Sequence, residues 1–153
     1  MINIYILLLE NDKYYIGRTM NLDFRLDCHF ANKGCYWTKK HIPIKVIKIY
    51  NKCDFFDEDK YTLKYMDKYG INNVRGGSFC QIKLEQMQIE LINKMLRNKN
   101  NQCYRCGSKD HFIFNCSKYV CKFCKKVKDT YLYKIKHEKK CKLNPKFKNK
   151  DLI

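Results

Sequence analysis

Apolar residues alternate through positions 2–9, with Ile4, Ile6 and Leu8 on one side and Tyr5, Leu7 and Leu9 on the other. Period-two spacing predicts a strand, and apolar residues on both sides predict that it is covered on both faces. A second strand is expected over 13–18, joined to the first by a turn at Glu10-Asn11-Asp12. The period then changes. Leu22, Leu26 and Phe30 recur at helical spacing behind Asn21, a suitable N-cap, and Gly34 follows the end. Arg25 and His29 flank that stripe one turn apart. A third strand is predicted over 43–50 and a second helix over about 56–69, ended by Gly70. Residues 72–77 read as a loop. Leu84, Met87, Leu91, Ile92, Met95 and Leu96 give an apolar helical face over 82–98, followed by the polar linker Arg97-Asn98-Lys99-Asn100-Asn101. The strand-strand-helix-strand-helix order makes the fold class α+β.

Charge divides the chain unequally. Residues 1–80 hold 13 basic and 9 acidic side chains, whereas residues 101–153 hold 15 and 4. A basic segment behind a nearly balanced body suits a polyanionic partner, because each cation set against a phosphate releases condensed counterions. The apolar start ends at Leu9 without a basic lead-in, and no apolar run reaches the roughly 20 residues that span a bilayer. A soluble intracellular protein is expected, a setting in which ten clustered cysteines hold metal more readily than they form disulfides.

Eight of the metal-binding residue types fall into two sets. Cys103, Cys106, His111 and Cys116 have the full spacing of a CCHC zinc knuckle. Cys121, Cys124, His137 and Cys141 have the spacing of a C2HC finger, although Lys128 and Lys134 stand where such fingers place large apolar residues. Four soft or borderline ligands in so short a segment meet the tetrahedral demand of Zn²⁺ and let the metal supply the folding energy. Tyr104 and Phe112 are placed to stack on exposed bases, with Arg105 and Lys109 near phosphates. Cys28, Cys35, Cys53 and Cys80 lack paired spacing and read as packing or surface thiols.

The first half of the chain resembles the GIY-YIG nucleases. Asn3-Ile4-Tyr5 stands where that family has Gly-Ile-Tyr, and Tyr15-Ile16-Gly17 matches the second tripeptide. Arg25 follows Tyr15 by ten residues, and His29 occupies a place where His or Tyr is usual. Tyr36-Trp37-Thr38, before the third strand, also resembles the family, and the run from Tyr65 to Gly77 is similar to a viral subgroup with C-terminal zinc motifs. The resemblance implies a small three-stranded antiparallel sheet flanked by helices, and it implies phosphodiester hydrolysis. It assigns Tyr5 and Tyr15 to orienting or deprotonating water, Arg25 to the transition-state phosphate, His29 to proton transfer, and Arg18 and Asn73 to the substrate. One glutamate would hold Mg²⁺ or Mn²⁺. Glu58 is the candidate, with Asp57 and Asp59 beside it as alternatives.

The expected organisation is therefore a nuclease domain over 1–80, a connecting helix and linker over 81–101, a knuckle over 102–118, a finger over 119–142 and a basic, disordered tail over 143–153. The expected activity is metal-dependent cleavage of nucleic acid, DNA before RNA, with one catalytic Mg²⁺ or Mn²⁺ and two structural Zn²⁺. A dimer on the substrate would allow both strands to be cut. The chain is expected to have no membrane partner, and a viral source would place it in host cytoplasm or nucleus. The competing readings are an inactive nucleic-acid-binding protein and a protein-interaction module. Loss of cleavage with retained binding in Glu58→Ala would separate the first from an enzyme.

Overall fold

The sheet is built around β1 (Ile2–Leu9), which pairs antiparallel with β2 (Lys13–Thr19) on one side and β3 (Pro43–Cys53) on the other. This computed structural model describes residues 1–128 and 131–145. A fourth strand, β4 (Val74–Gly76), lies parallel to β2, in the order β3-β1-β2-β4. The sheet therefore has four strands rather than the expected three, and part of the expected 72–77 loop is strand. Three residues carry no readable period, and Arg75 and Gly76 are poor strand formers.

The two apolar faces of β1 are both used. Ile4 and Ile6 join Tyr14 and Ile16 of β2 against Met66 of α3 (Asp57–Tyr69) and Ile92 of α4 (Gln86–Lys99). On the opposite face Tyr5, Leu7, Leu9 and Tyr15 pack against Trp37 of α2 (Tyr36–Lys40), with Leu22 and Leu26 of α1 (Leu22–Phe30) alongside. Ile4, Ile6, Ile16, Ile92, Tyr5, Leu7 and Leu9 are fully buried, and truncating any large aliphatic among them would cost about 2–5 kcal/mol. The N-cap of α1 is Asn21, whose side-chain oxygen accepts from Phe24 N–H at 3.2 Å.

A buried cation ties the loop after β4 to the rest. Arg75 is 3% exposed. Its guanidinium donates to the carbonyls of Ile71, Val74, Gln81 and Ile82 at 2.7–3.1 Å and lies 4.5 Å over the Trp37 ring. The bond to the buried Val74 carbonyl pairs a group that would otherwise lack a partner.

The chain divides into two compact units, Met1–Leu96 and Arg97–Ile153. Leu84 and Ile92 are core residues of the first, with Ile89 and Leu96 packed beside them. The apolar stripe of α4 covers the sheet face under Ile4 and Ile6.

The second unit is organised around its cysteines. Cys103, Cys116, Cys121 and Cys141 are its buried apolar side chains. In the knuckle, Cys103 N–H donates to Ser108 O at 2.7 Å and Gly107 N–H to Cys103 O at 2.8 Å. The finger has a single antiparallel bridge, Val120 to Val127, and the helix α5 (Tyr131–Lys139). Of the expected disordered tail, residues 146–153 lie outside the described residues.

Candidate active site and metal-binding clusters

Alternation along β1 and β2 sends Tyr5 and Tyr15 to the same face, under α1. Their rings lie 6.2 Å apart, and the His29 ring sits 5.6 Å from Tyr5 and 5.1 Å from Tyr15. Arg25, one turn before His29 on α1, directs its Nε–H to the Tyr5 phenol oxygen at 3.2 Å, and its charge also acts on Tyr15. Tyr5, Tyr15, Arg25 and His29 therefore meet in one place.

The hydrogen-bond direction through this cluster can be assigned. Thr38 Oγ1 commits its hydrogen to the Cys35 carbonyl at 3.1 Å, so it accepts from His29 Nδ1–H at 3.0 Å. A neutral imidazole protonated at Nδ1 has its lone pair at Nε2. Nε2 lies 2.8 Å from the Tyr5 phenol oxygen and accepts its proton. The order is Arg25 to Tyr5, Tyr5 to His29, His29 to Thr38, and Thr38 to backbone.

Protonation states follow from burial. His29 is fully buried. Its pKa is lowered to about 4, first by desolvation and then by the Arg25 charge, so the ring is neutral at pH 7. Desolvation pushes Tyr5 up to about 12, against the lowering effect of Arg25. Burial also raises Tyr15, with the neighbouring Tyr5 adding to the effect. The cluster thus holds two phenols and a neutral imidazole beside the Arg25 guanidinium.

Glycine permits the approach of these groups. A Cβ on Gly17 would overlap the Tyr5 phenol, and one on Gly34 would overlap both His29 Nδ1 and Thr38 Oγ1. The residues missed by sequence reasoning are Thr38 and Gly34. Thr38 lies in the run Tyr36-Trp37-Thr38 that carried the resemblance, but nothing in its spacing indicates a bond to an imidazole nine residues away.

Glu58 opens α3 and enters the same field, since its charge acts on both Tyr5 and Tyr15. Burial raises its carboxyl, while Arg18, whose Nε lies 3.4 Å from Oε2, pulls it back. The neighbouring acids are otherwise engaged. Asp57 accepts from Lys60 Nζ at 2.8 Å and from Asp54 N–H at 3.0 Å. Asp59 accepts from Ser78 N–H and Ser78 Oγ–H, both at 2.7 Å. Glu58 pairs with Arg18, whose side chain is 42% exposed.

Two expected substrate contacts have work inside the fold. The Asn73 carbonyl oxygen accepts from Lys13 Nζ at 2.6 Å and its amide donates to Tyr69 O at 2.8 Å, which fastens the end of α3 to β2. Arg105 Nη1 donates to Ile113 O and Cys116 O at 3.4 and 3.3 Å, closing the knuckle.

The two expected ligand sets converge. The donor atoms of Cys103, Cys106, His111 and Cys116 all lie within 4.8 Å of one another, as do those of Cys121, Cys124, His137 and Cys141. His111 Nε2 is 3.2 Å from Cys106 Sγ, and His137 Nε2 is 3.1 Å from Cys124 Sγ. Burial disfavours a thiolate at Cys103, yet the N–H groups of Cys106 and Arg105 and the adjacent thiols hold it down to about 6. A donor set of three sulfurs and one imidazole nitrogen, already gathered, fits Zn²⁺. Around the knuckle Tyr104, Phe112 and Phe114 are 39%, 70% and 91% exposed. Together with Asn98, Asn101 and Gln102 they line a cleft of about 150 Å³.

Among the described residues no helix is long and apolar enough to cross a membrane. No solved structure gives a significant match. Residues 1–71 match the GIY-YIG catalytic domain, the stretch that contains all four residues of the buried cluster and Glu58. The UPF0213 protein OB0043 of Oceanobacillus iheyensis is 32% identical over 69 residues, covering 43% of this chain and 79% of its own. With both tyrosines, the arginine and the histidine gathered on one face of a small sheet, this chain belongs to the GIY-YIG family of nucleases.

Proposed function

We propose that this protein is a divalent-metal-dependent endonuclease that hydrolyses phosphodiester bonds in DNA and is held on its substrate by a basic, zinc-binding tail. The observation that carries this reading is the directed hydrogen-bond chain from Arg25 through Tyr5 and His29 to Thr38.

Cleavage requires a base for water and compensation of the charge that grows on the phosphate oxygens. A free tyrosinate is inaccessible at neutral pH with Tyr5 at about 12. Tyr5 instead accepts a proton from water as it passes its own to His29 Nε2. Desolvation first and the Arg25 charge second make charging His29 costly, which lowers its pKa. An incoming phosphate offsets that cost with its negative charge, so the relay becomes favourable when substrate is present. Arg25 stabilises the phenol oxygen and the phosphate, and Tyr15 orients the water. Glu58 would hold the Mg²⁺ or Mn²⁺, which supplies charge stabilisation on the phosphate and leaving oxygens. Arg18, freed from Glu58, is placed to meet the phosphate.

The tail supplies affinity. Zn²⁺ held by each Cys₃His set would fix the knuckle and the finger, and the exposed rings of Tyr104 and Phe112 would stack on unpaired bases. With 15 basic residues against 4 acidic ones over 101–153, binding should weaken steeply as salt rises. One active site cuts one strand, leaving a 3′-hydroxyl and a 5′-phosphate. Two copies or two successive nicks sever a duplex.

The test is nicking of supercoiled DNA in Mn²⁺ or Mg²⁺ by wild type and Tyr5→Phe. The wild type nicks, and the variant binds DNA but loses about 10²–10⁴-fold in rate. Equal rates would defeat the proposal.

A further inference from the structure

The helix α4 carries two sets of apolar residues. Ile89, Ile92 and Leu96 turn inward onto the sheet. Met87, Leu91 and Met95 remain in the open, at 80%, 46% and 39% exposure. Residues four apart are neighbours on a helix surface, so these three make one contiguous apolar strip rather than scattered surface side chains. All three lie within the Met1–Leu96 unit.

Charge decides what suits the strip. The whole chain carries +17, so two copies repel unless they meet on a surface without excess cations. The stretch from Leu84 to Leu96 is such a surface, with two glutamates, Glu85 and Glu90, against one lysine, Lys94, and a net charge of −1. It gives a polyanion little to bind. Glu90 and Lys94 are exposed, one turn apart, and lie on the same flank of the strip. Among the described residues neither is in an ion pair, and Glu90 accepts from Gln86 Nε2 at 3.2 Å. A two-fold axis that sets two such helices antiparallel brings the same flank of each copy together. With that axis at the level of Ile92, Glu90 of each copy faces Lys94 of the other, and Leu91 of each meets Leu91 and Met95 of the other. The strip is thus complementary to itself, as an isologous contact requires.

We infer that the Met87–Leu91–Met95 strip is a homodimer interface, in which α4 of two copies packs antiparallel and exchanges Glu90–Lys94 pairs. Three apolar residues and their flanks are far fewer than the ~20–30 residues a side of a standard interface, so the dimer is weak and depends on concentration. Such a dimer holds two catalytic clusters in one assembly. Its use in severing both strands of a duplex rests on the nuclease reading above. The association itself does not, and it is measured without cleavage.

The experiment is sedimentation velocity of the full zinc-loaded chain from about 1 μM to about 1 mM, the span over which weak contacts saturate. The wild type should pass from monomer to dimer within that range. Leu91→Asp should stay monomeric with its helical circular dichroism unchanged. Glu90→Lys and Lys94→Glu each set like charges together twice per dimer, so each alone should weaken association about 5- to 30-fold. Mixed, the two variants should pair at close to wild-type strength, because each supplies the charge that the other lacks. The double variant Glu90→Lys/Lys94→Glu should regain the dimer as well. A wild type that remains monomeric throughout overturns the inference. So does a dimer that survives Leu91→Asp, or single variants that fail to recombine on mixing.

Discussion

Replacing Thr38 with Val keeps the volume of a side chain that is 1% exposed and removes only its hydroxyl. Two hydrogen bonds go with it, from His29 Nδ1–H at 3.0 Å and to the Cys35 carbonyl at 3.1 Å. A buried N–H left unpaired costs about 1–3 kcal/mol. The imidazole avoids most of that by moving its proton to Nε2, where it faces the Tyr5 phenol oxygen. That oxygen already accepts from Arg25 Nε–H at 3.2 Å. Tyr5 would then accept from both neighbours, and its own proton could no longer pass to His29. The fold should survive with a stability loss of about 1–3 kcal/mol, while the relay stops and the rate falls by about 10²–10⁴-fold. Thr38→Ser restores the hydroxyl and should restore most of the rate. Single-turnover nicking, with thermal unfolding as the control for folding, measures both effects. A folded Thr38→Val protein that nicks as fast as wild type would refute the assigned direction of the chain.

His29 should leave a mark on acid stability. Its unfolded pKa of about 6.5 lies above the native value of about 4, so between these the unfolded chain binds the extra proton and stability falls as pH is lowered. The full effect is about 3 kcal/mol, seen as a steeper loss in urea unfolding for wild type than for His29→Gln over that window; parallel curves would contradict it. Arg75→Met removes the donor shared by four carbonyls and should cost at least about 3 kcal/mol in denaturant unfolding. A loss under 1 kcal/mol, by the same bookkeeping, would mean water replaces the guanidinium. Stripping zinc with a chelator should expose the six ligand thiols of the tail to a thiol reagent. The Met1–Leu96 unit should keep its helical circular dichroism through that treatment; thiols equally reactive before and after would argue against bound zinc.

Physical range decides what the sequence makes legible. Both faces of β1 are readable because every second residue reports the same environment, and Ile4 and Tyr5 duly enter separate cores. Asn21 is readable because a cap acts on a neighbour three residues away. The two ligand sets are readable because a metal demands close spacing. By contrast β4 is three residues long, and its existence depends on Tyr14, Tyr15 and Ile16 of a distant strand. The helix α2 is five residues long and held by Trp37, whose Nε1–H donates to Tyr14 O at 3.1 Å. Nothing local distinguishes Glu58 from Asp57 and Asp59, and the different partners they take, Arg18 for Glu58 and Lys60 and Ser78 for the two aspartates, lie beyond what spacing reports. The bonds of Asn73 to Lys13 and Tyr69, and of Arg105 to Ile113 and Cys116, likewise have no signature in the local spacing.

The central claim is that Glu58 and the tyrosine–histidine relay cleave phosphodiester bonds together. The most direct measurement is the rate of supercoiled DNA nicking in Mn²⁺ for wild type, Glu58→Gln and Tyr5→Phe, with DNA affinity measured on the same preparations. The account predicts that wild type nicks, that both variants bind DNA as wild type does, and that neither cuts appreciably. Undiminished cutting by Glu58→Gln, or tight binding without cutting by the wild type, would contradict it.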